Sequence, residues 1–170
     1  DEDHLVSAQV VSDEDKLVMV SQNGLANRFA VEDLRTASRS SGGVRGLKVG
    51  EGELVGMDRV HIDVYLLTVT EKGYGKLTRV DSIPVHKRGG KGLRVHRIGF
   101  ETGKLAIGQL VPPQGSLVLL SSAANVVVIP MEQISVQSRN ARGVHLMALE
   151  PGDTVVSVTA TGDVEIAAEE

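Results

Sequence analysis

The sequence contains no cysteine and no tryptophan. Without cysteine there is no disulfide, no thiolate zinc site and no cysteine nucleophile. Aromatic residues make up 2% of the chain: Phe29, Phe100, Tyr65 and Tyr74. A core must therefore be aliphatic, and little is left to build a stacking platform for single-stranded nucleic acid. No apolar run approaches the ~18 residues of a membrane span. The chain opens Asp1-Glu2-Asp3, the wrong charge for a signal peptide. Helical periodicity is nearly absent, and the best helix candidate, Glu32 to Ala37, is barely one turn. These absences fit a protein of the reducing cytoplasm with no membrane association.

What is present favours strands. The chain has 170 residues and is 41% hydrophobic, enough to bury a core. Valine dominates, and β-branched side chains suit a pleated, half-buried surface. Nineteen glycines suit many tight turns. The net charge is −4, but it is unevenly spread. From Lys72 to Lys104 there are nine lysines and arginines against Asp81 and Glu101, a local charge of +7; the remainder carries −11. For nucleic-acid binding the distribution matters more than the sum.

One pattern recurs three times with a period near 50 residues. Each copy begins with an apolar strand: Leu17-Val18-Met19-Val20, Leu66-Leu67-Thr68-Val69 and Leu117-Val118-Leu119-Leu120. A turn follows at Asn23-Gly24, Lys72-Gly73 and Ala123-Ala124. Asn-Gly predicts a two-residue type I′ hairpin, and the third copy lacks the glycine. A second strand then ends in a matched triplet, Glu32-Asp33-Leu34, Asp81-Ser82-Ile83 and Glu132-Gln133-Ile134. Next comes an Arg-bearing loop closed by glycine: Arg45-Gly46-Leu47, Lys91-Gly92-Leu93 and Arg142-Gly143-Val144. Short strands with regular turn punctuation predict an all-β, propeller-like architecture. We expect about three blades of four-stranded antiparallel sheet, in repeats of roughly 5–54, 55–105 and 106–156. A closing strand and an acidic tail, Asp163 to Glu170, would occupy 157–170.

The chemistry concentrates in the middle copy. Lys72-Gly73-Tyr74-Gly75-Lys76-Leu77-Thr78-Arg79 is followed by His86-Lys87-Arg88-Gly89-Gly90-Lys91-Gly92. Phosphates need positive charge and donors. Glycine lets the backbone approach an anion and aim its N–H groups at it. Arginine pairs a phosphate with two bonds, while lysine acts as a point charge. The candidate DNA contacts are therefore Lys72, Lys76, Arg79, His86, Lys87, Arg88, Gly89, Gly90, Lys91, Gly92, Arg94 and Arg97. Arg28, Arg39, Arg45, Arg139 and Arg142 could continue the path through the other copies, although each taken alone reads more readily as a surface charge than as a ligand contact.

Here the sequence resembles a known family. Lys87 to Gly92 matches six of the seven positions of a signature, Gln-(Arg/Lys)-Arg-Gly-Gly-(Arg/Lys)-Gly, found in the C-terminal domains of DNA gyrase A subunits; His86 stands in place of the glutamine. Gly73-Tyr74-Gly75-Lys76 is similar to the Gly-x-Gly/Ala-Lys that precedes it in that family. The resemblance implies a β-pinwheel whose neighbouring blades exchange strands. It also implies that duplex DNA bends around a basic rim, in support of negative supercoiling by the holoenzyme. This chain would be the last three blades, or a shortened version of the whole. No catalytic residue is implied, because the cleavage tyrosine of gyrase lies in another part of the A subunit. The implied partners are duplex DNA, the rest of the A subunit, which in turn joins the B subunit, and the implied setting is the bacterial cytoplasm and nucleoid. Two alternatives stand beside this: the C-terminal domain of a topoisomerase IV A subunit, and a propeller-like scaffold whose basic loop docks an acidic protein.

No cofactor or metal is expected. His4, His61, His86, His96 and His145 are scattered without metal-ligand spacing. No serine sits in a Gly-x-Ser-x-Gly elbow, and Gly73-Tyr74-Gly75 lacks the βαβ setting of a nucleotide fingerprint.

Overall fold

The computed structural model describes residues 4–161, which excludes the expected acidic tail. Eleven strands are found among these residues: β1 (Lys16–Ser21), β2 (Leu25–Ala30), β3 (Leu54–Arg59), β4 (Tyr65–Thr70), β5 (Tyr74–Arg79), β6 (Leu93–Arg94), β7 (Leu105–Val111), β8 (Ser116–Ser121), β9 (Val126–Pro130), β10 (Val144–His145) and β11 (Val155–Thr161). No helix among the described residues is long and apolar enough to cross a membrane. The expected helical turn is a 3-10 turn at Val31–Asp33, and Val80–Ser82 and Met131–Gln133 repeat it. Each ends on the matched triplet, with the N–H of Leu34, Ile83 and Ile134 donating to Val31 O, Val80 O and Met131 O. The triplets recur because each turn sends an apolar side chain, Val31, Val80 or Met131, into the core.

The strands form three antiparallel sheets, in the orders β3-β1-β2-β6, β10-β5-β4-β7 and β11-β8-β9. The first two sheets have four strands, as expected. The third has three among the described residues. Strands β3, β7 and β11 run to Arg59, Val111 and Thr161, past the expected repeat ends. In the first two blades the fourth strand comes from the following repeat. Leu93 and Arg94 pair with Ala26 and Leu25, and Val144 and His145 pair with Gly75 and Tyr74. Among the described residues no such strand lies on β9 beside Val126 and Val128, which are exposed.

The hairpins differ from the expected type I′ form. The Gly24 N–H donates to Ser21 O, Gly73 to Thr70 O and Ala124 to Ser121 O. Each loop thus has three residues, and only its last is left-handed, with φ of 74°, 78° and 63°. This is the turn-plus-bulge alternative to the two-residue loop. Glycine is required at two of the three tips for a second reason. A Cβ on Gly24 would strike His96 O, and one on Gly73 would strike Met147 O, because the following repeat crosses the hairpin there.

The core sits between blades. Val18, Val20 and Ala26 of the first blade meet Leu66, Val80, Ile83, Val95 and Leu105. Leu67, Val69 and Leu77 of the second meet Leu117, Leu119, Met131 and Val158 of the third. The outer face of blade one buries Leu17, Phe29 and Val31, and Val11 from the segment before β1 packs onto them. Each sheet therefore depends on a neighbour to cover its apolar face.

Candidate nucleic-acid interface

The heptapeptide loop belongs to the second repeat in sequence and to the first blade in space. It enters beside β2, where the His86 N–H donates to Arg28 O at 2.8 Å. Asn27 Nδ2 donates to Lys87 O at 3.2 Å and to Gly46 O at 3.1 Å. The Gly89 N–H reaches Gly46 O at 2.7 Å, and the Lys48 N–H reaches Gly90 O at 2.8 Å. Gly89 and Gly92 are left-handed, with φ of 76° and 74°. A Cβ on Gly92 would collide with Ala26 O as the chain passes into β6. These glycines serve the strand exchange first, and the loop they shape then projects its cations.

Lys87 and Lys91 are exposed, as is Arg45 on the adjoining loop. Lys87 Nζ lies 2.9 Å from Asp33 Oδ1 while its side chain stays 90% exposed. The bond and charge of Asp33 hold the Lys87 ammonium above its ordinary pKa. Arg88 has two hydrogen bonds to backbone: Nε donates to Asp33 O at 3.1 Å and Nη1 to Arg45 O at 3.4 Å. Asp33 thus seats both cations, a role that its place in the triplet does not announce.

A second basic group lies where the second and third repeats meet. The Arg97 N–H donates to Ala141 O at 3.1 Å, and Arg139 Nη1 to Arg94 O at 3.4 Å. Arg142 pairs with Glu101, and its guanidinium lies 5.9 Å from the Tyr74 ring centroid. Lys72 Nζ stands 4.5 Å from the Phe100 ring centroid, and Phe100 is 94% exposed. The loops at 45–48, 89–97 and 139–142 are thereby joined in series by backbone and arginine hydrogen bonds.

Two candidates are corrected. Lys76 is fully buried. Its Nζ donates to Thr78 Oγ1 at 2.9 Å and to Ser138 O at 2.7 Å, so it cannot face a ligand. Arg28 has a side chain only 14% exposed, and its Nη1 is spent on Val80 O and Ile83 O, both at 3.2 Å. Both are structural cations. Arg79 is exposed but faces elsewhere, into a groove of about 960 Å³ where Arg59, His61 and Arg79 stand with Asp15, Asp63 and Asp81. Arg39 is exposed in a turn of the first repeat's loop. No group of three metal-ligating side chains occurs among the described residues.

Beside Lys76, His96 is buried. Its Nδ1 is 2.9 Å from Thr68 Oγ1, and its Nε2 has no hydrogen-bond partner. Burial, then the Lys76 charge, pushes His96 down to about 4. The folded chain therefore binds fewer protons than the unfolded chain between pH ~4 and ~6.5. The stability from neutral His96 is complete above pH ~6.5 and is lost as pH falls toward ~4. Between pH 7 and pH 4.5 the loss amounts to about 2 kcal/mol. Urea unfolding at pH 7 and pH 4.5 should show this loss, and His96→Asn should remove most of that difference. An equal pH dependence in the variant would refute the assignment.

Comparison with known proteins agrees with this geometry. The family model described as DNA gyrase C-terminal domain, beta-propeller, matches residues 15–61, 65–96 and 115–161. The chain is 35% identical over 170 residues to the DNA gyrase A subunit of Mycolicibacterium smegmatis, covering 98% of this chain and 20% of that protein. It is 32% identical over 166 residues to the same subunit from Mycobacterium tuberculosis, covering 96% and 20%. The chain thus spans about a fifth of the length of these relatives. A solved DNA gyrase A C-terminal domain superposes with a TM-score of 0.85 at 31% identity, over 94% of this chain and 55% of that one. The C-terminal domain of DNA topoisomerase IV superposes with a TM-score of 0.82 at 17% identity, over 88% and 47%, a likeness of fold alone. Strand exchange between blades, three repeats of one pattern and a family match across all three place this chain in the DNA gyrase C-terminal domain family.

Proposed function

We propose that this chain is a non-catalytic module that binds and bends duplex DNA as part of a gyrase A subunit. The observation that carries the reading is the run of joined loops, 45–48, 89–97 and 139–142. It sets the cations Arg45, Lys91, Arg94, Arg97 and Arg142, with Lys87 beside them, along successive blades of a chain that is acidic elsewhere. Phosphate contacts of this kind position a duplex without reading its sequence. Bending ~20–30 bp by 40–90° costs roughly 1–6 kcal/mol, which the contacts must offset. The protein partner is the remainder of the A subunit, which in turn joins the B subunit. The setting is the bacterial cytoplasm and its nucleoid. With about a fifth of its relatives' length, the chain would hold and bend DNA without supercoiling it alone.

The test is a mobility-shift series on duplexes of increasing length at two salt concentrations. If about five phosphates are neutralised, log K should fall with log salt at a slope near −4 to −5. Affinity should also rise with duplex length beyond one blade's footprint. A slope near zero would sink the proposal, and a preference for an acidic protein over duplex DNA would replace it.

A further inference from the structure

The two blade joints share a device that the loop charges do not explain. Asn27 and Lys76 occupy the same place in their blades, each three residues after the left-handed glycine of its hairpin. Their cross-strand partners, Met19 and Thr68, are likewise equivalent. Both side chains are buried and polar. Both donate to the carbonyl four residues past the triplet of the next repeat: Asn27 Nδ2 to Lys87 O at 3.2 Å, and Lys76 Nζ to Ser138 O at 2.7 Å. Lys76 also reaches Arg139 O at 3.4 Å. The loops enter alike, through the His86 N–H to Arg28 O and the Gln137 N–H to Leu77 O.

The third blade supplies the contrast. Its equivalent residue, paired with Leu119, is Val127, which can donate nothing. Its hairpin tip carries Ala124 where the others need glycine. Among the described residues no later segment pairs with the free edge of β9. Among the described residues, then, the polar side chain is present at both places where a following loop packs, and no following loop packs at Val127.

We propose that Lys76 and Asn27 are positioning residues for DNA binding: from inside one blade, each clamps the next repeat's loop and so aims that loop's cations. Lys76 aims Arg139 and Arg142; Asn27 aims Lys87 and Arg88. The assignment rests on the DNA-binding reading above. Lys76 is an expensive clamp. Burial, then the Arg139 charge, pushes its ammonium down to about 8. The groups facing it are Arg139 from the clamped loop and His96 from the chain that crosses the hairpin. Above pH 8 His96 is already neutral, and arginine keeps its charge throughout. A seated Lys76 thus favours the neutral amine more than a released one does, so seating should tighten between pH ~8 and ~10.5.

The test pairs amide exchange without DNA and duplex affinity, for the full chain and for Lys76→Met and Lys76→Gln. Lys76→Met should lower protection at Gln137 and Ala141 by roughly tenfold or more, while β4 amides keep theirs. It should also weaken duplex binding by roughly threefold to tenfold. Lys76→Gln, a neutral donor like Asn27, should restore most of both, which a merely space-filling role would not produce. The unmodified chain needs no substitution: its loop protection, corrected for intrinsic exchange, should rise from pH 8 to pH 9.5. Unchanged protection in Lys76→Met, or falling protection with pH, overturns the clamp. Lost protection with unchanged affinity overturns its role in aiming cations at DNA. If the unmodified chain binds no duplex, the DNA reading fails, and the exchange data alone judge the clamp.

Discussion

Replacing Lys87, Arg88 and Lys91 together by alanine is expected to lower duplex affinity by one to two orders of magnitude at ~0.1 M salt, and to flatten the salt dependence by roughly two units of slope. Each phosphate neutralised on B-form DNA contributes about 0.9 to that slope. Lys87 looks the weakest donor of the three, because Asp33 already holds it at 2.9 Å. The magnitudes decide the competition. The pair is exposed on the Lys87 side, and solvent screening leaves exposed ion pairs weak, so a phosphate can displace Asp33 readily. Arg88 is the opposite case: its Nε is committed to Asp33 O and its Nη1 weakly to Arg45 O, which leaves the rest of the guanidinium free to donate. Three substitutions therefore cost between two and three phosphate contacts. Fluorescence anisotropy across a salt series checks this, with far-ultraviolet circular dichroism as the control for folding. A slope equal to that of the unmodified chain would move the interface to the Arg94–Arg142 group.

The largest stability loss from one methyl group is expected at Gly56. A Cβ there would land on the carbonyl oxygen of Gly108, where β3 of the first blade passes β7 of the second. Backbone lies on both sides, so no side chain can swing away. Overpacking of a core usually costs 1–3 kcal/mol, and a backbone collision belongs above that range. Gly56→Ala should therefore cost about 3 kcal/mol or more, read as a fall in urea midpoint. Gly42→Ala is the matched control, since a Cβ there meets nothing within 4 Å. Equal midpoints for the two variants would contradict the close approach of the blades.

Much of the fold is legible in the sequence because its signals are local. The three triplets mark the 3-10 turns, and Gly24 and Gly73 mark the hairpins. The hairpin type is not legible in the same way, since Asn-Gly suggests two left-handed residues whereas only the glycine is left-handed. Pairing between blades is harder still. The exchanged strands are two residues long, Leu93–Arg94 and Val144–His145, too short for any alternation to show, so only the family resemblance implies them. The candidate interface divides along the same line. Lys87 and Lys91 are where a Gly-rich basic loop puts them, at the surface. Lys76 looks the same in sequence, between Gly75 and Leu77 and close to Arg79, yet it is buried, because its acceptor, Ser138 O, lies 62 residues away. A lysine's partner across a blade joint leaves no mark near the lysine. Comparing the copies does mark it: positions 27 and 76 are both polar donors, and position 127 is not.

Because each of the first two sheets is finished by a strand from the repeat after it, the blades are linked as hands holding wrists. The loop at 86–92 is fixed at its far end to β2 through β6, and then continues into the second blade through β7. Tension applied to that loop is carried as shear by β2 and as a pull on β7, so two blades bear it together. Stiffness against a load on that loop is thus a property of the joint between blades, and shortening the array by one repeat would unhook an edge strand from the blade left behind.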